Sequence, residues 1–348
     1  MVIEVKLDQM QEFTPKRRVF AALLGGETDR VPATCIGACG GSVSVEIQEA
    51  VGVYWPGAFK DPKKMAELAI GSQKITQLEC VTIGDEFSIL PEALGCEIKW
   101  YDDNSLKPSA KSLGLESPED LEMPENLLER GRIPAIMEAI RLVRKEVGDF
   151  LPVTSFVFGP FSLASDLAEP EKFLVTAMSN PEKAKEFVDF ATEVVIEYAK
   201  AQYRAGSDIV SVGEPLGTPD NVGPKIFSKV IKPAFKKIAE SLGGIRVVHF
   251  CGAVEPFMQD IVDLGFDAIS VRESVDITNI KPITGNIPIL GNVESGGVLT
   301  HGFPDEVRAA ARKSLEDGVD LLEPACGIES EMPIDNIKVL SEVVREED

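Results

Sequence analysis

The chain has 348 residues and a formal net charge of −22, from 35 Lys and Arg against 57 Asp and Glu. This acidic balance disfavours a nucleic-acid-binding protein, which needs a basic surface to displace counterions, and it disfavours docking on an anionic membrane. The two His exclude a His-rich metal site, and six Cys in a chain of this length are too few for a disulfide scaffold. We therefore expect reduced thiols and a cytoplasmic protein with no nucleic-acid or membrane partner.

The sequence shows no targeting or membrane-spanning pattern. The first residues lack the apolar stretch of a signal peptide, and no apolar run of about 18 residues predicts a transmembrane helix. The most polar stretch, residues 101–132, is rich in Pro, Ser, Asp and Glu. Because apolar elements of the same type lie on both sides of it, we interpret it as an insertion rather than as an interdomain linker. We predict a single domain over residues 1–348 that begins with an N-terminal extension.

Short apolar runs alternate with longer helical patterns along the chain. Pro at the first helical position marks helices that begin at Thr14–Pro15, Asp61–Pro62, Asn180–Pro181 and Gly223–Pro224. The apolar runs are compact and rich in β-branched residues, as in strands that are buried on both faces. They predict eight strands, at Val31–Ile36, Cys80–Ile83, Pro152–Val157, Asp208–Val212, Arg246–Phe250, Asp267–Val271, Pro288–Leu290 and Val319–Leu322.

Eight strands that alternate with helices predict parallel βαβ units, and in a chain of this length they favour a (β/α)₈ TIM barrel. A doubly wound open sheet is the alternative. Such a sheet usually carries a G-x-G-x-x-G turn after its first strand, whereas the first strand here is followed by GACGGS. Because barrels place their chemistry at the carboxyl ends of the strands, those ends are the places to search for a site.

Two strand ends carry residues that bind metals. His249 and Cys251 are two positions apart on the fifth predicted strand, so they face the same side, and Cys326 follows the eighth. One imidazole and two thiolates form a soft donor set that prefers zinc, and three protein ligands leave a fourth position open, as in catalytic zinc sites. The alternative is that the two Cys are buried apolar residues without a metal. We interpret the three residues as a metal site, and the remaining His301 as a surface residue.

The sequence resembles the uroporphyrinogen decarboxylase superfamily and, within it, the cobalamin-dependent methyltransferase branch. The resemblance covers essentially the whole chain and lies in residues 14–19 (TPKRRV), 29–32 (DRVP), 92–98 (EALGCEI), 128–134 (LERGRIP), 159–160 (GP), 164–167 (ASDL), 249–252 (HFCG), 326–328 (CGI), 333 (P) and 336–338 (NIK). It implies a (β/α)₈ barrel in which His249, Cys251 and Cys326 bind one catalytic zinc ion.

The resemblance also implies an activity, in which a methyl group passes from a methylated corrinoid to a thiol, with coenzyme M as the acceptor. The chain has no D-x-H-x-x-G segment for binding a corrinoid. We therefore expect the methylcobalamin-type donor to be carried by a small corrinoid protein as partner. The upstream source of the methyl group is left open by the sequence.

Other polar residues are predicted at the same strand ends. Glu273 is a candidate fourth zinc ligand that a thiol would displace, although a solvated loop carboxylate is the alternative. Glu214 is a candidate to orient His249 or to line the pocket. Asn292 is a candidate polar group of the pocket, and Arg272 is a candidate for binding the sulfonate of coenzyme M, together with Ser295.

Asp85 and Glu86 end the second predicted strand. They resemble an acid–base pair, but neighbours on a strand face opposite sides, so only one of the two can point into the site. We retain Asp85 as a candidate substrate-binding residue.

Three other functions remain open from the sequence. The first is the same chemistry with another acceptor, such as tetrahydrofolate. The second is a uroporphyrinogen decarboxylase-type reaction, although residues 33–41 contain no Arg with which to hold the carboxylates of a porphyrinogen. The third is a non-enzymatic role, in which zinc has a structural function or the protein is a binding subunit of a corrinoid complex.

Overall fold

The computed structural model describes residues 13–37, 39, 41–83 and 86–346. Within these ranges, seven parallel strands form one sheet in the order β1-β4-β5-β6-β7-β8-β9, and β2 and β3 form a separate antiparallel hairpin. The strands are β1 (Val81–Ile83), β2 (Glu97–Lys99), β3 (Ser109–Lys111), β4 (Val153–Phe158), β5 (Ile209–Glu214), β6 (Ile245–Phe250), β7 (Ala268–Ser270), β8 (Ile289–Val293) and β9 (Leu321–Pro324).

Helices separate the strands of the sheet. They are α1 (Pro15–Leu23), α2 (Val45–Val51), α3 (Pro62–Thr76), α4 (Ile89–Ala93), α5 (Ile133–Val147), α6 (Pro160–Ala168), α7 (Pro170–Ser179), α8 (Pro181–Ala205), α9 (Pro219–Ile226), α10 (Lys232–Ser241), α11 (Met258–Val262), α12 (Ile277–Thr284), α13 (Pro304–Asp317) and α14 (Ile334–Glu346). None of the helices in the described ranges combines the length and the apolar composition that a bilayer-spanning helix needs. Because the paired strands follow each other in chain order, the sheet winds in one direction, as in a TIM barrel.

The capping signals read from the sequence are confirmed at three helices. Thr14 and Asp61 accept backbone N–H groups of the first turns of α1 and α3, and Asn180 does the same for α8. Helix α8 ends at Gly206, whose φ of 122° strongly favours glycine. The predicted helix start at Gly223–Pro224 coincides with a kink inside α9, where Gly223 has a non-helical φ of 73° and a helical segment begins after it; a further helical turn from Pro219 precedes the kink.

Seven of the eight predicted strands are confirmed, with bounds that shift by at most three residues. The remaining prediction, a regular strand at Val31–Ile36, was wrong, because this segment forms only a single parallel bridge, from Ala33 to Leu322 of β9. The N–H groups of Cys35, Ile36 and Gly37 bond to side chains, namely the Cys80 sulfur and the Glu323 carboxylate, and therefore cannot extend a ladder.

The same segment nevertheless closes the barrel. On one side it bonds to β9, through Thr34 N–H to the Leu322 carbonyl and Leu322 N–H to the Pro32 carbonyl. On the other side the Ala33 carbonyl accepts the N–H of Glu79, which lies just before β1. The (β/α)₈ architecture expected from the sequence is therefore present, with an irregular extended segment in the first strand position.

At the amino end of the barrel, three Asp residues each make the same pair of backbone hydrogen bonds to a neighbouring strand, an arrangement that we call the clamp. Asp208, Asp267 and Asp320 each precede a strand, and each donates its N–H to the carbonyl of the first or second residue of the preceding strand in the sheet. The carboxylate of each Asp accepts the N–H of that same residue, at 3.0 Å, 2.8 Å and 2.8 Å. These hydrogen bonds tie every second strand to its neighbour at this end. Each carboxylate also forms an ion pair with a Lys or Arg.

The polar stretch predicted as an insertion lies at the opposite end of the barrel. Residues 101–132 belong to the long connection between β1 and α5, which leaves the sheet at a carboxyl strand end and contains the β2–β3 hairpin. Leu115 N–H donates to the Leu167 carbonyl at the end of α6, and Gln48 of α2 donates to the Asn104 carbonyl. The insertion is therefore attached to the mouth of the barrel by two other segments.

The clamp predicts a difference between two Asp substitutions. Asp208 is mostly buried and accepts hydrogen bonds from Lys16, Arg144 and the Val153 backbone, so we expect Asp208→Ala to lower the free energy of unfolding by about 1–3 kcal/mol. The control is Asp189→Ala, which removes an exposed helical pair with Lys185 and should change stability by less than about 0.5 kcal/mol. Urea denaturation measures both, and equal losses would contradict the clamp.

Candidate functional site: a histidine and three cysteines at the barrel mouth

The side chains predicted to bind metal lie at the carboxyl ends of the strands. His249 is the penultimate residue of β6, and Cys251 directly follows that strand. Cys326 lies two residues beyond the end of β9. His249 is fully buried, whereas the two cysteines are half-buried. The fold therefore brings residues that are 75 positions apart in the sequence (326 − 251) to the same mouth.

A third cysteine joins them. The sulfurs of Cys39, Cys251 and Cys326 all lie within 4.8 Å of one another, and among the His, Cys, Asp and Glu side chains of the described residues this is the group compact enough to hold a metal ion. His249 lies beside this group and is not a member of it. All six cysteines of the chain are free thiols. Cys39 is not among the predicted ligands, because it is far from the H-x-C pair in the sequence and is four positions, rather than two or three, from Cys35. The feature of the sequence that could have identified Cys39 is its position just after the first predicted strand, at the barrel end where the other ligands were expected.

The imidazole of His249 has one nitrogen held and one left without a partner. Its Nδ1 lies 3.0 Å from the Oγ of Ser270 on β7, whereas its buried Nε2 has no hydrogen-bond partner within the described structure. A buried polar atom without a partner costs free energy, and in native proteins it often marks a ligand site. The unpartnered nitrogen and the neighbouring sulfurs therefore fit a soft divalent cation such as zinc.

Charge interactions in the group agree with this interpretation. Burial alone would lower the pKa of His249, but the neighbouring Cys251 and Cys326 sulfurs outweigh it and raise the pKa to about 10. Hydrogen bonds from Cys251 and Cys39, together with the imidazole, lower the pKa of Cys326. The directions of these shifts show that negative charge on the sulfurs favours a positive charge beside them, and a divalent cation would supply such a charge.

Glu323 positions the segment that carries Cys39. Its buried carboxylate accepts the N–H groups of Ile36 and Gly37 and the hydroxyl of Thr34. Gly37 approaches the site so closely that a Cβ there would lie 2.1 Å from the Oγ of Ser270. A side chain at this position would displace the serine that orients His249.

Ser295 positions Cys326. Its Oγ accepts the Cys326 N–H at 3.0 Å and donates to the Gly327 carbonyl at 3.0 Å. Because Ser295 is buried and its hydroxyl is engaged on both sides, its predicted role as a sulfonate donor was wrong. It fixes the loop after β9 instead.

Glu214 does not orient His249. Its buried carboxylate accepts the N–H groups at the start of α6 and those of Leu216 and Gly217, as well as the hydroxyl of Ser162. Burial raises its pKa, and these hydrogen bonds oppose the rise. Ser270, rather than Glu214, contacts the second nitrogen of His249, so the carboxylate acts by organising the loops beside the site.

The residues predicted after β7 and β8 form one connected group. Both carboxylate oxygens of Glu273 bond to the guanidinium of Arg272, so the structure places Glu273 in an ion pair and not among the clustered sulfurs. The Cys326 and Cys251 sulfurs add to the rise in the pKa of Arg272 that the hydrogen bond to Glu273 produces, which places this half-exposed cation beside the site. The amide of Asn292 donates to the carbonyls of Arg272 and Val275 and therefore holds this loop.

Two remaining predictions concern the second strand and the last histidine. Asp85 lies outside the described residues. Its neighbour Glu86 is buried in an ion pair with Arg132, at 2.5 Å, and also accepts hydrogen bonds from Ser88. His301 is exposed, as expected from the sequence.

Comparison with known proteins adds two curated relatives and one solved structure. The chain is 35% identical to a methylcobamide:CoM methyltransferase of Methanosarcina barkeri over 333 residues, which cover 95% of this chain and 97% of the relative. It is 33% identical to a methylcobamide:CoM methyltransferase of Methanosarcina mazei over 97% of this chain and 99% of the relative. A solved methyltransferase from Methanosarcina mazei superposes with a TM-score of 0.91 at 35% identity, covering 96% of this chain and 99% of that one.

The family assignment rests on the match along the whole described barrel. The model of the family described as uroporphyrinogen decarboxylase (URO-D) matches residues 14–347. This range includes the closing segment, the H-x-C strand end and the loop with Cys326. The chain therefore belongs to the uroporphyrinogen decarboxylase (URO-D) family.

Proposed function

We propose that this protein is a zinc-dependent methyltransferase that moves a methyl group from a methylated corrinoid to a thiol. The observation that carries the proposal is the buried, unpartnered Nε2 of His249 beside the clustered sulfurs at the barrel mouth. The similarity to methylcobamide:CoM methyltransferases over 95% of the chain supports it.

His249, Cys251 and Cys326 would hold the zinc ion. Their imidazole and thiolate groups are the soft donors that zinc prefers, and three such ligands leave one position for a substrate. Zinc bound there would act as a Lewis acid that lowers the pKa of an acceptor thiol, so that the thiol is deprotonated near neutral pH. Two thiolate ligands neutralise the charge of the ion and leave electron density on the acceptor sulfur.

The chain's own contacts hold these donors in place. Ser270 fixes the imidazole of His249 through Nδ1, which leaves Nε2 for the metal. Ser295 fixes the backbone of Cys326, and the Glu214 carbonyl accepts the N–H of Cys251 at 3.2 Å. Each donor is therefore supported from a different strand end, as a preorganised site requires.

We propose coenzyme M, 2-mercaptoethanesulfonate, as the acceptor. Its sulfonate needs a cation near the sulfur-binding position, and the chain has an overall charge of −22 that would repel an anion. Arg272 is a cation close to Cys251 and Cys326, and it is half-exposed at the mouth. We propose that Arg272, which is also paired with Glu273, binds the sulfonate while the thiol reaches the clustered donors.

The methyl donor would be carried by a partner corrinoid protein that docks at the mouth. Neither histidine of the chain is suited to supply a corrinoid ligand, since His249 is buried beside Cys251 and Cys326 and His301 has no D-x-H-x-x-G context. The acceptor thiolate would attack the methyl carbon, so that a carbon–sulfur bond forms while both electrons of the cobalt–carbon bond remain on cobalt.

The first test measures metal and activity together. Purified protein should contain about one zinc per chain and should methylate coenzyme M with methylcobalamin as donor. Cys326→Ala should bind zinc more weakly and reduce the rate about 100-fold or more, whereas Cys96→Ala, at a buried cysteine outside the cluster, should retain both zinc binding and activity. Full activity of a zinc-free Cys326→Ala protein would contradict the proposal.

The same assay separates the alternatives. Chelation should abolish activity with little change in the melting temperature, whereas a structural zinc site would mainly lose stability. Tetrahydrofolate in place of coenzyme M should give no product.

The second test concerns the sulfonate. Arg272→Ala should raise the KM for coenzyme M by about 10-fold or more, because a charge-assisted hydrogen bond is lost. With 2-mercaptoethanol, which has no sulfonate, the same variant should behave like the unsubstituted protein. Arg308→Ala, which removes a cation paired with Glu342 and Glu346 on the helices away from the mouth, serves as the control. An equal loss with both thiols would exclude Arg272 as the sulfonate ligand.

A further inference from the structure

We propose that Cys39 is the fourth protein ligand of the metal and that the substrate thiol displaces it. This inference rests on the proposed metal centre and assigns a role to a residue that neither the H-x-C pattern nor the resemblance identifies. The observations that support it are the position of the Cys39 sulfur, the way its segment is held and the contrast with the other buried cysteines.

The sulfur of Cys39 faces the two predicted ligand sulfurs. It lies within 4.8 Å of those of both Cys251 and Cys326 and interacts with both of them by hydrogen bonding. Cys39 is 3% exposed, so its sulfur is more shielded than those of its two half-buried neighbours. Three sulfurs at these separations can bind one ion after small side-chain movements, since zinc–sulfur bonds are about 2.3 Å long.

The chain holds Cys39 from both sides. Before it, the N–H groups of Ile36 and Gly37 bond to Glu323 of β9. After it, the Gly41 carbonyl accepts the N–H of Ile328 at 2.7 Å, and Ser42 forms a parallel bridge with Ile328. Both attachments lead to β9 and the loop that carries Cys326, so the two cysteines are positioned by the same part of the fold.

The other early cysteines behave as ordinary buried residues. Cys35 donates to the Gly41 carbonyl, and the Cys80 sulfur accepts the N–H of Cys35. Burial raises the pKa of Cys80 to about 12, as expected for an inert thiol. Cys39 differs because its neighbours are the two cysteines at the strand ends.

With Cys39 bound, His249, Cys251, Cys326 and Cys39 would form a complete tetrahedral set. The substrate offers the same donor atom as Cys39, so one thiolate replaces another and the charge of the centre is unchanged. The proton of the incoming thiol leaves with the released Cys39 sulfur. In the resting protein Cys39 would therefore close the position at which the substrate binds.

The test counts thiolate ligands in cobalt-substituted protein. Co²⁺ takes the place of zinc, and the intensity of its sulfur-to-cobalt absorption band increases with the number of thiolates bound. We compare the unsubstituted protein, Cys39→Ser, Cys39→Ala and the control Cys35→Ser, each first checked for folding by circular dichroism. Without added thiol, both Cys39 variants should show a band weaker by about one third, because two thiolates remain of three. Cys35→Ser should match the unsubstituted protein.

Adding coenzyme M distinguishes exchange from simple addition. The band of the unsubstituted protein should stay at its three-thiolate intensity, whereas the bands of both Cys39 variants should rise to that same intensity. If the cobalt of the unsubstituted protein starts with two thiolate ligands and gains a third, Cys39 is not a ligand, although the proposed metal centre stands. If the number of thiolate ligands instead rises from three to four, coenzyme M does not displace Cys39. A protein that shows no sulfur-to-cobalt band at all would instead overturn the proposed metal centre.

Discussion

The buried carboxylate of Glu323 joins the first and the last strand positions of the barrel. It lies on β9 and accepts hydrogen bonds from Thr34, Ile36 and Gly37, which belong to the segment that closes the sheet. A buried carboxylate is tolerated only when its oxygens are hydrogen-bonded, and here the partners are the backbone groups that a regular strand would have used for a ladder. Closure of the barrel and the placement of the segment that carries Cys39 therefore depend on the same group.

The two ends of the barrel serve different purposes. At the amino end, Asp208, Asp267 and Asp320 tie neighbouring strands together by a repeated pair of hydrogen bonds. At the carboxyl end, side chains such as Glu214, Ser270 and Ser295 use their hydrogen bonds to fix loops and donor groups. This division is expected of TIM barrels, in which stability and chemistry lie on opposite faces.

The sequence predicts the regular part of this arrangement well. Strands such as those at 209–214 and 245–250 are compact apolar runs, so burial on both faces makes them recognisable, and the helices carry Pro, Asn or Asp at their first turns. The closing segment at 31–36 was harder to predict, because its N–H groups bond to side chains that are distant in the sequence. Cys39 was missed for the same reason, since its proximity to Cys326 arises from closure of the barrel and from no local spacing.

The proposed mechanism requires a single zinc ion at the barrel mouth, bound by His249 and the clustered sulfurs. Anomalous diffraction at the zinc absorption edge, from crystals of the purified protein, would locate this ion. We expect one peak per chain, about 2.0–2.1 Å from the Nε2 of His249 and about 2.3 Å from the sulfurs of Cys251 and Cys326. A protein that is active in methyl transfer but shows no peak at this position, or a peak that does not contact His249, would exclude the proposed zinc site.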